Sequence, residues 1–347
     1  MSANIRETRL CVGFHKQAAL QTPLVAADCV ALLKTNPALF NVDLKTENDA
    51  SWIGKDDEFA TKNYLTAWEC IGAIDGFLSS EWAVVLAALG LGKVQKDAAG
   101  DGFKYTCSPL APVTDGIEMP STTIVEAIRQ GASDVIDRAL IGCCVEEFGF
   151  ALNSGPGLQN ARFTSSWMGC GKRVSPSTIE VPAVSAAHLL KGYSCAATIM
   201  GTDYVTLKLL QSFDFRWRNA IRGDSGYYPG SGVWDGGQIR GRMEHGDRQL
   251  TTNFVARFQN GNDELDKLLN QTEGTVVVTV SGDPISTGVL HKMTITERRV
   301  VIQSAVIGEA DGIVTVAVEL LPMTDVATGL LQIEVWTELD GVLTAAA

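Results

Sequence analysis

The chain has 347 residues, of which 46% are hydrophobic, so it can form one large or two medium-sized domains with a proper core. Its 28 basic and 40 acidic residues give a net charge of -12 and a pI of about 4.8, which disfavours binding to nucleic acid or to anionic membranes. We expect a soluble protein without an export signal or a membrane span, because the longest apolar run, residues 82–91, is too short to cross a bilayer.

The residue types favour β structure, because glycine, valine and threonine outweigh the usual helix formers. The eight cysteines form no C-x-x-C pair, and no histidine lies at zinc-finger spacing from them. This pattern predicts reduced, mostly buried thiols in a protein made in the cytoplasm.

The first half of the chain predicts a strand, a helix and another strand in succession. Residues 1–24 resemble an extended arm, and residues 63–68 alternate as a strand does. Ser80 is well placed to cap a helix of apolar residues, which Gly90 and Gly92 stop. Alternation resumes at residues 103–107, and the three elements form a strand–helix–strand unit.

A β-hairpin follows that unit. Residues 139–152 and 161–167 alternate on either side of a turn at residues 153–157. The pattern of residues 122–136 is compatible with either a strand or a helix. Earlier in the chain, the polar stretch that contains Trp52 and Gly54 predicts a long loop and a candidate contact with a neighbouring subunit.

The second half contains the longest alternating run, residues 205–217. Asp214, Arg216 and Arg218 share one face of this run, so that face meets solvent or a partner, and we predict that these residues are interface charges. The other face is apolar and is expected to pack in the core.

Residues 223–246 are too rich in glycine and too long for an ordinary connection, which predicts an interface loop that adds nothing to the core. The candidate contact residues within it are Tyr227, Tyr228, Trp234 and Gly236. Arg240 and Arg242 are candidate interface charges, because a basic region in so acidic a chain is expected to pair with carboxylates of a neighbouring subunit.

Residues 250–283 repeat the order of the first unit about half a chain later. A strand at residues 250–258 precedes a short helix that Asp263 is placed to cap, with Leu265, Leu268 and Leu269 on its apolar face. Gly274 is expected to end this helix before the next strand.

A closing hairpin is predicted from residues 313–321 and 331–335. The repetition indicates two related domains at residues 25–174 and 175–340, with residues 341–347 as a C-terminal tail. A superposition of the two halves is expected to place helix on helix.

Two fragments resemble catalytic motifs of serine proteases, but their spacing argues against that chemistry. His188 lies only 37 residues before Ser225, far closer than the protease fold allows. The remaining histidines, His15, His245 and His291, are isolated in the sequence, so we expect no catalytic or metal site. No glycine pattern has the strand–glycine–helix order of a nucleotide site, so no cofactor is expected.

Three stretches resemble the tail tube (major tail) proteins of long-tailed bacteriophages. They are Leu190-Lys-Gly192 with residues 196–219, Ala256-Arg-Phe258 with residues 262–272, and residues 313–338. The resemblance implies a mainly β fold with two β-sandwich or partial-barrel domains, each flanked by a short α-helix. It also implies a structural virion protein that is not an enzyme and takes no cofactor.

The resemblance further implies assembly into stacked rings that form a channel for DNA during ejection. A trimer of two-domain chains is favoured and a hexamer is the alternative, with other tail proteins as partners and DNA as a transient, non-specific passenger. The protein would be assembled in the host cytoplasm and reside in the virion tail. A tube or connector subunit of another assembly, such as a secretion apparatus, is the second hypothesis, and a hydrolase is the third.

Overall fold

The computed structural model describes residues 6–32, 39–48, 63–130, 133–153, 160–181, 188–259, 263–310, 312–325 and 329–343. These residues form two α-helices, α1 (Ser80–Leu91) and α2 (Glu264–Leu269). They also form the following strands: β1 (Arg6–Gly13), β2 (Cys29–Ala31), β3 (Asn41–Asn48), β4 (Asn63–Phe77), β5 (Gly92–Ala99), β6 (Gly102–Pro109), β7 (Thr122–Gln130), β8 (Ser133–Asn153), β9 (Arg162–Gly169), β10 (Arg173–Val174), β11 (Lys191–Ile199), β12 (Thr202–Asp203), β13 (Leu210–Arg218), β14 (Val233–Trp234), β15 (Gly237–Gln238), β16 (Gln249–Arg257), β17 (Gly274–Ser286), β18 (Val289–Ala310), β19 (Ile313–Pro322) and β20 (Leu331–Thr337). The mainly β fold predicted from composition is confirmed.

Two long strands connect the sheet, because each changes partners along its length. The 21-residue β8 pairs with β7 and β10 near its start and with β9 and β13 near its end. The 22-residue β18 pairs with β17 and β20 near its start and with β19 near its end. One run of eight strands therefore follows the order β3–β4–β9–β8–β13–β16–β19–β18.

The two halves of the chain share this sheet. The first-half strand β8 pairs with the second-half strand β13, and β6 pairs with β20. One large apolar cluster contains residues from both halves, such as Val12, Phe150 and Val335. The division into two domains is not confirmed by this arrangement. The order strand–helix–hairpin nevertheless recurs, as β4–α1–β5–β6 and β16–α2–β17–β18, and the superposition of the halves stays a prediction.

The helix predicted in the first half is confirmed as α1, and every one of its residues is buried. Its apolar side chains point in all directions, which suits a helix enclosed by strands. Its N-cap is Ser79, whose side chain accepts a hydrogen bond from the Trp82 amide, so the predicted cap at Ser80 is wrong by one residue. Of the two glycines predicted to stop the helix, Gly90 lies inside it, and Gly92 ends it with the left-handed φ of 90° that favours glycine.

The second helix, α2, differs from its prediction in three details. Asp263 occupies the N-cap position, but no side-chain cap hydrogen bond forms there. Leu268 packs against the core, whereas Leu269 is 80% exposed and does not belong to a packed face. The helix ends at Asn270, and Gly274 instead begins β17. With only six residues, α2 is too short to bury a full apolar face.

One of the two predicted hairpins is confirmed and the other is wrong. β8 and β9 pair antiparallel as predicted, with Phe150 opposite Phe163. β19 and β20 exist, but each pairs with a different part of β18, with Val318 opposite Ala305 and Ile333 opposite Ile295. β19 and β20 lie one after the other along the same edge of β18, opposite β17, so they pair with β18 and not with each other. The ambiguous stretch after residue 121 forms the strand β7.

Residues 6–13 of the predicted arm are extended, but they form β1, which pairs with β2 and β7. All eight cysteines are free thiols, seven of them buried and Cys195 partly so, as predicted. None of the helices in the described residues is long and apolar enough to cross a membrane.

Candidate assembly surfaces

The outer face of β13 carries three of the predicted interface charges. Alternation directs Phe213, Phe215 and Trp217 into the core, where all three are buried. Asp214, Arg216 and Arg218 therefore lie on the opposite face. The Arg216 guanidinium lies 3.3 Å from the Asp214 carboxylate and remains 58% exposed. Arg218 is 3.9 Å from the Glu146 carboxylate. Such exposed pairs hold little energy within the subunit, so these charges are available to a partner.

The glycine-rich segment, residues 219–248 between β13 and β16, is attached to β4 rather than free in solvent. The Tyr227 hydroxyl donates a hydrogen bond of 2.6 Å to the Trp68 carbonyl. The Trp234 ring lies edge-on to the Trp68 ring at 5.2 Å. Asp235 and Gly236 both have positive φ, of 46° and 79°, and make the tight turn between β14 and β15. Gly236 thus serves the turn that presents Trp234 to Trp68.

Arg240 anchors the glycine-rich segment from inside and is only 1% exposed. Its guanidinium donates to the carbonyls of Gly223 and Gly169, each at 2.9 Å, and to the Glu69 carboxylate at 2.6 Å. It also lies 4.7 Å above the Tyr227 ring. Its charge is used within the subunit, which removes Arg240 from the candidate interface charges. The expectation that this segment adds nothing to the core is wrong.

The carboxylate that receives Arg240 is held by a second cation. The Lys45 ammonium lies 2.8 Å from Glu69, and hydrogen bonds from Lys45 and then Arg240 lower the pKa of Glu69. The three side chains connect β3, β4 and the glycine-rich segment. This network explains how a segment of so little regular structure keeps one position.

The outer part of the glycine-rich segment remains at the surface. Arg242 is exposed, and its guanidinium lies 5.2 Å above the ring of Tyr228, which is itself exposed. Of the predicted contact residues, Tyr227 and Trp234 therefore face the subunit, while Tyr228 and Arg242 face outward. Trp52 and Gly54 lie outside the described residues.

An apolar surface that the sequence analysis missed lies at the tip of the β18–β19 hairpin. Val306, Ile307, Ile313 and Val314 are all exposed there, with Val306 at 62%. The sequence feature that could have predicted this surface is the pair of consecutive apolar residues in each strand. Consecutive residues point to opposite faces, so the hairpin is apolar on both faces although only one can pack inward. We define these four residues as the hairpin tip.

The eight-strand run ends in two edges of different character. In the described part of the chain, residues 301–310 of β18 have a strand partner on one side only, and β3 pairs only with β4. The β3 edge carries the charged residues Asp43, Lys45 and Glu47, whereas the β18 edge leads into the apolar hairpin tip. Open edges expose unpaired backbone groups that readily accept another strand.

These features define a β-sheet structural protein suited to assembly. Residues 13–322 match the family of phage tail tube proteins, so the chain belongs to that family. It is accordingly a structural component of the virion tail and not an enzyme, and the family implies that it assembles with itself and with other tail proteins. A search of the curated proteins finds no match.

Proposed function

We propose that copies of this chain join through their sheet edges into rings, and that the rings stack into a tube through which DNA passes. The edges at β3 and at residues 301–310 of β18 support this proposal most directly, because within the described residues neither has a second strand partner and both terminate the same eight-strand run, although α2 packs against β18. Closing such a run on neighbouring copies satisfies the backbone groups that an isolated subunit leaves to solvent. A closed ring also removes the edges at which the protein would otherwise aggregate.

For the ring we favour three chains, each contributing two related halves to a pseudo-sixfold arrangement, and six chains are the alternative. The recurrence of the strand–helix–hairpin order in the two halves supports the smaller number. Native mass spectrometry of released rings distinguishes the two stoichiometries directly. Assembly in the host cytoplasm, before incorporation into the virion, belongs to the same proposal.

The hairpin tip offers the sharpest test of assembly. The Val306→Asp substitution places a charge on a side chain that is 62% exposed, so the subunit should fold normally. If the tip packs against another copy, burying that charge is costly, and negative-stain images should show no long tubes. Val113→Asp is the matched control, because Val113 is 97% exposed in the segment between β6 and β7.

We expect wild-type protein and the Val113→Asp variant to form tubes of the same length distribution. The Val306→Asp variant should match both in circular dichroism and in melting temperature while failing to elongate. Tubes of normal length from folded Val306→Asp protein would remove the hairpin tip from the assembly surface. Wild-type protein that stays monomeric at every concentration would argue against the proposal as a whole.

A further inference from the structure

Three side chains that are far apart in the sequence meet at the N-terminal end of α1. Glu81 lies in the first turn of α1, His188 lies just before β11, and His291 lies in β18. Each offers a ligand atom, and these atoms all lie within 4.8 Å of one another. In the sequence the two histidines are isolated, because more than 100 residues separate them.

Backbone contacts hold the first two residues in register. The Ser80 amide donates a hydrogen bond of 3.0 Å to the His188 carbonyl, and Ser79 forms a β-bridge with Leu189. The His188 Nδ1 lies 2.6 Å from the Glu81 Oε1. The position of His188 next to Glu81 is therefore imposed by the backbone.

The second histidine is buried and has one uncommitted nitrogen. The His291 Nδ1 lies 2.9 Å from the Ser80 Oγ, which in turn donates to the Thr337 Oγ1 at 3.4 Å. The His291 Nε2 is buried and has no hydrogen-bond partner within the described part of the chain. In metal-ligating histidines, one ring nitrogen typically hydrogen-bonds to an oxygen, and the other ring nitrogen binds the metal.

The carboxylate has an uncommitted atom as well. The Glu81 Oε2 is buried and finds no hydrogen-bond partner among the described residues, and buried polar atoms in that state are uncommon and costly.

We propose that Glu81, His188 and His291 form a binding site for a divalent transition metal of the Zn²⁺ type. Two imidazoles and one carboxylate are a common ligand set for this ion, with water at the remaining position. His291 is the fixed ligand, because Ser80 and burial hold its ring. His188 is the movable ligand, since its side chain is 30% exposed.

Metal binding requires a local rearrangement. The rings of His188 and His291 are stacked at 3.9 Å with an interplanar angle of 9°, and parallel rings cannot both direct a lone pair at one ion. The His188 ring turns out of the stack and exchanges its bond to Glu81 for the metal. The ion would then connect α1, β18 and the segment before β11.

The experiment uses the full chain, freed of metal by a chelator and titrated with Co²⁺ or Zn²⁺. We expect one Zn²⁺ per chain after dialysis, a Co²⁺ visible spectrum typical of nitrogen and oxygen ligands, and a higher melting temperature with metal. His188→Gln should weaken binding by at least about tenfold while the metal-free protein still folds, because the side chain is 30% exposed and the glutamine amide can still donate to Glu81. Glu81→Gln is a second variant, which keeps the shape of the side chain.

His15→Gln is the matched control, since His15 also lies beside a carboxylate, Asp28 at 3.5 Å, but belongs to no cluster of three ligands among the described residues. It should bind metal as the wild-type protein does. An absence of bound metal at micromolar Zn²⁺ would overturn the proposal. So would unchanged binding by folded His188→Gln protein, or a sulfur-to-cobalt charge-transfer band, which would assign the metal to cysteines.

Discussion

Buried charged side chains at two positions show how this subunit tolerates polar groups in its interior. Arg240 satisfies its guanidinium with two carbonyls and the Glu69 carboxylate. Glu297 in β18 is fully buried and accepts a hydrogen bond from the Thr252 hydroxyl through one oxygen, while no residue that the structure describes bonds its Oε2. The partners of Arg240 therefore stabilise its positive charge. The surroundings of Glu297 instead favour its protonated, neutral form.

The Arg240→Ala substitution should lower the free energy of unfolding by roughly 3 kcal/mol or more, because it leaves carbonyls of Gly169 and Gly223 unpaired and weakens the tie to Glu69. Urea denaturation measures the change. Arg242→Ala, two residues along and exposed, should change the same quantity by only about 0.5 kcal/mol. Equal effects of the two substitutions would contradict the anchoring role of Arg240.

Glu297 should make the subunit less stable as the pH rises. Burial raises the pKa of Glu297 from 4.5 to about 7 in the folded protein. The folded state therefore keeps a proton that the unfolded state loses between these values, and up to roughly 3 kcal/mol of stability disappears across that window. Glu297→Gln imitates the protonated acid and does not titrate, so it should gain stability relative to wild type from about pH 5 to about pH 8.

Urea denaturation at both ends of that pH range tests the role of Glu297. The control is Glu309→Gln, at an exposed position of the same strand, whose stability should follow wild type throughout. Parallel pH dependences of wild type and Glu297→Gln would show that this carboxyl is ionised in the folded protein.

At the scale of elements, α1 is the helix around which the strands pack. The Trp82 ring of α1 lies 4.6 Å from the Phe163 ring of β9. The helix α1 also contacts β6, β8 and β20. Gly90 sits in its last turn, where a Cβ would come within 2.4 Å of the Phe148 ring. The helix and β8 therefore lie so close together that a side chain at position 90 would clash with Phe148.

The Gly90→Ala substitution should destabilise the fold by about 1–3 kcal/mol through overpacking, even though alanine favours a helix by about 1 kcal/mol. Thermal denaturation shows which effect is larger. Gly308→Ala in β18 is the control, because the added Cβ meets only the Thr315 Oγ1 at 3.7 Å, and its melting temperature should stay close to wild type. A higher melting temperature for Gly90→Ala would show that the ring of Phe148 moves aside easily.

At the scale of the whole molecule, the net charge of -12 bears on the proposed channel. DNA carries one charge per about 1.7 Å of its axis, so lysines or arginines in the bore would hold it and slow ejection. Contacts between subunits are expected to use Arg216, Arg218 and Arg242 against carboxylates, which leaves surplus acidic residues for the remaining surfaces. We therefore predict a bore with net negative charge.

A ring structure from electron cryomicroscopy tests this prediction by counting charged side chains along the channel. An alternative is that the surplus acid lies on the outer wall, where it keeps tails apart. A bore with net positive charge would refute sliding without adhesion, while the chain would still be a tail tube protein.

Local patterns in the sequence were sufficient for α1, for the β8–β9 hairpin and for the two faces of β13. In each case the signal lies within about twenty residues and repeats with the period of a helix or a strand. Composition likewise indicated a mainly β protein, and the fragments in residues 190–338 indicated the family. The spacing of apolar residues predicts these features because it shows which side of a helix or strand faces the core.

The tertiary structure alone decided which distant elements meet. The long β18 pairs with β19 and with β20 in turn along one edge, although these two consecutive strands resemble a hairpin in the sequence. Arg240 in a glycine-rich stretch resembles a surface charge until β4 and β9 supply Glu69 and the Gly169 carbonyl. His188 and His291 become neighbours only because α1 and β18 converge. Residues so far apart in the sequence leave no periodic pattern, because their contact depends on how the whole intervening chain folds.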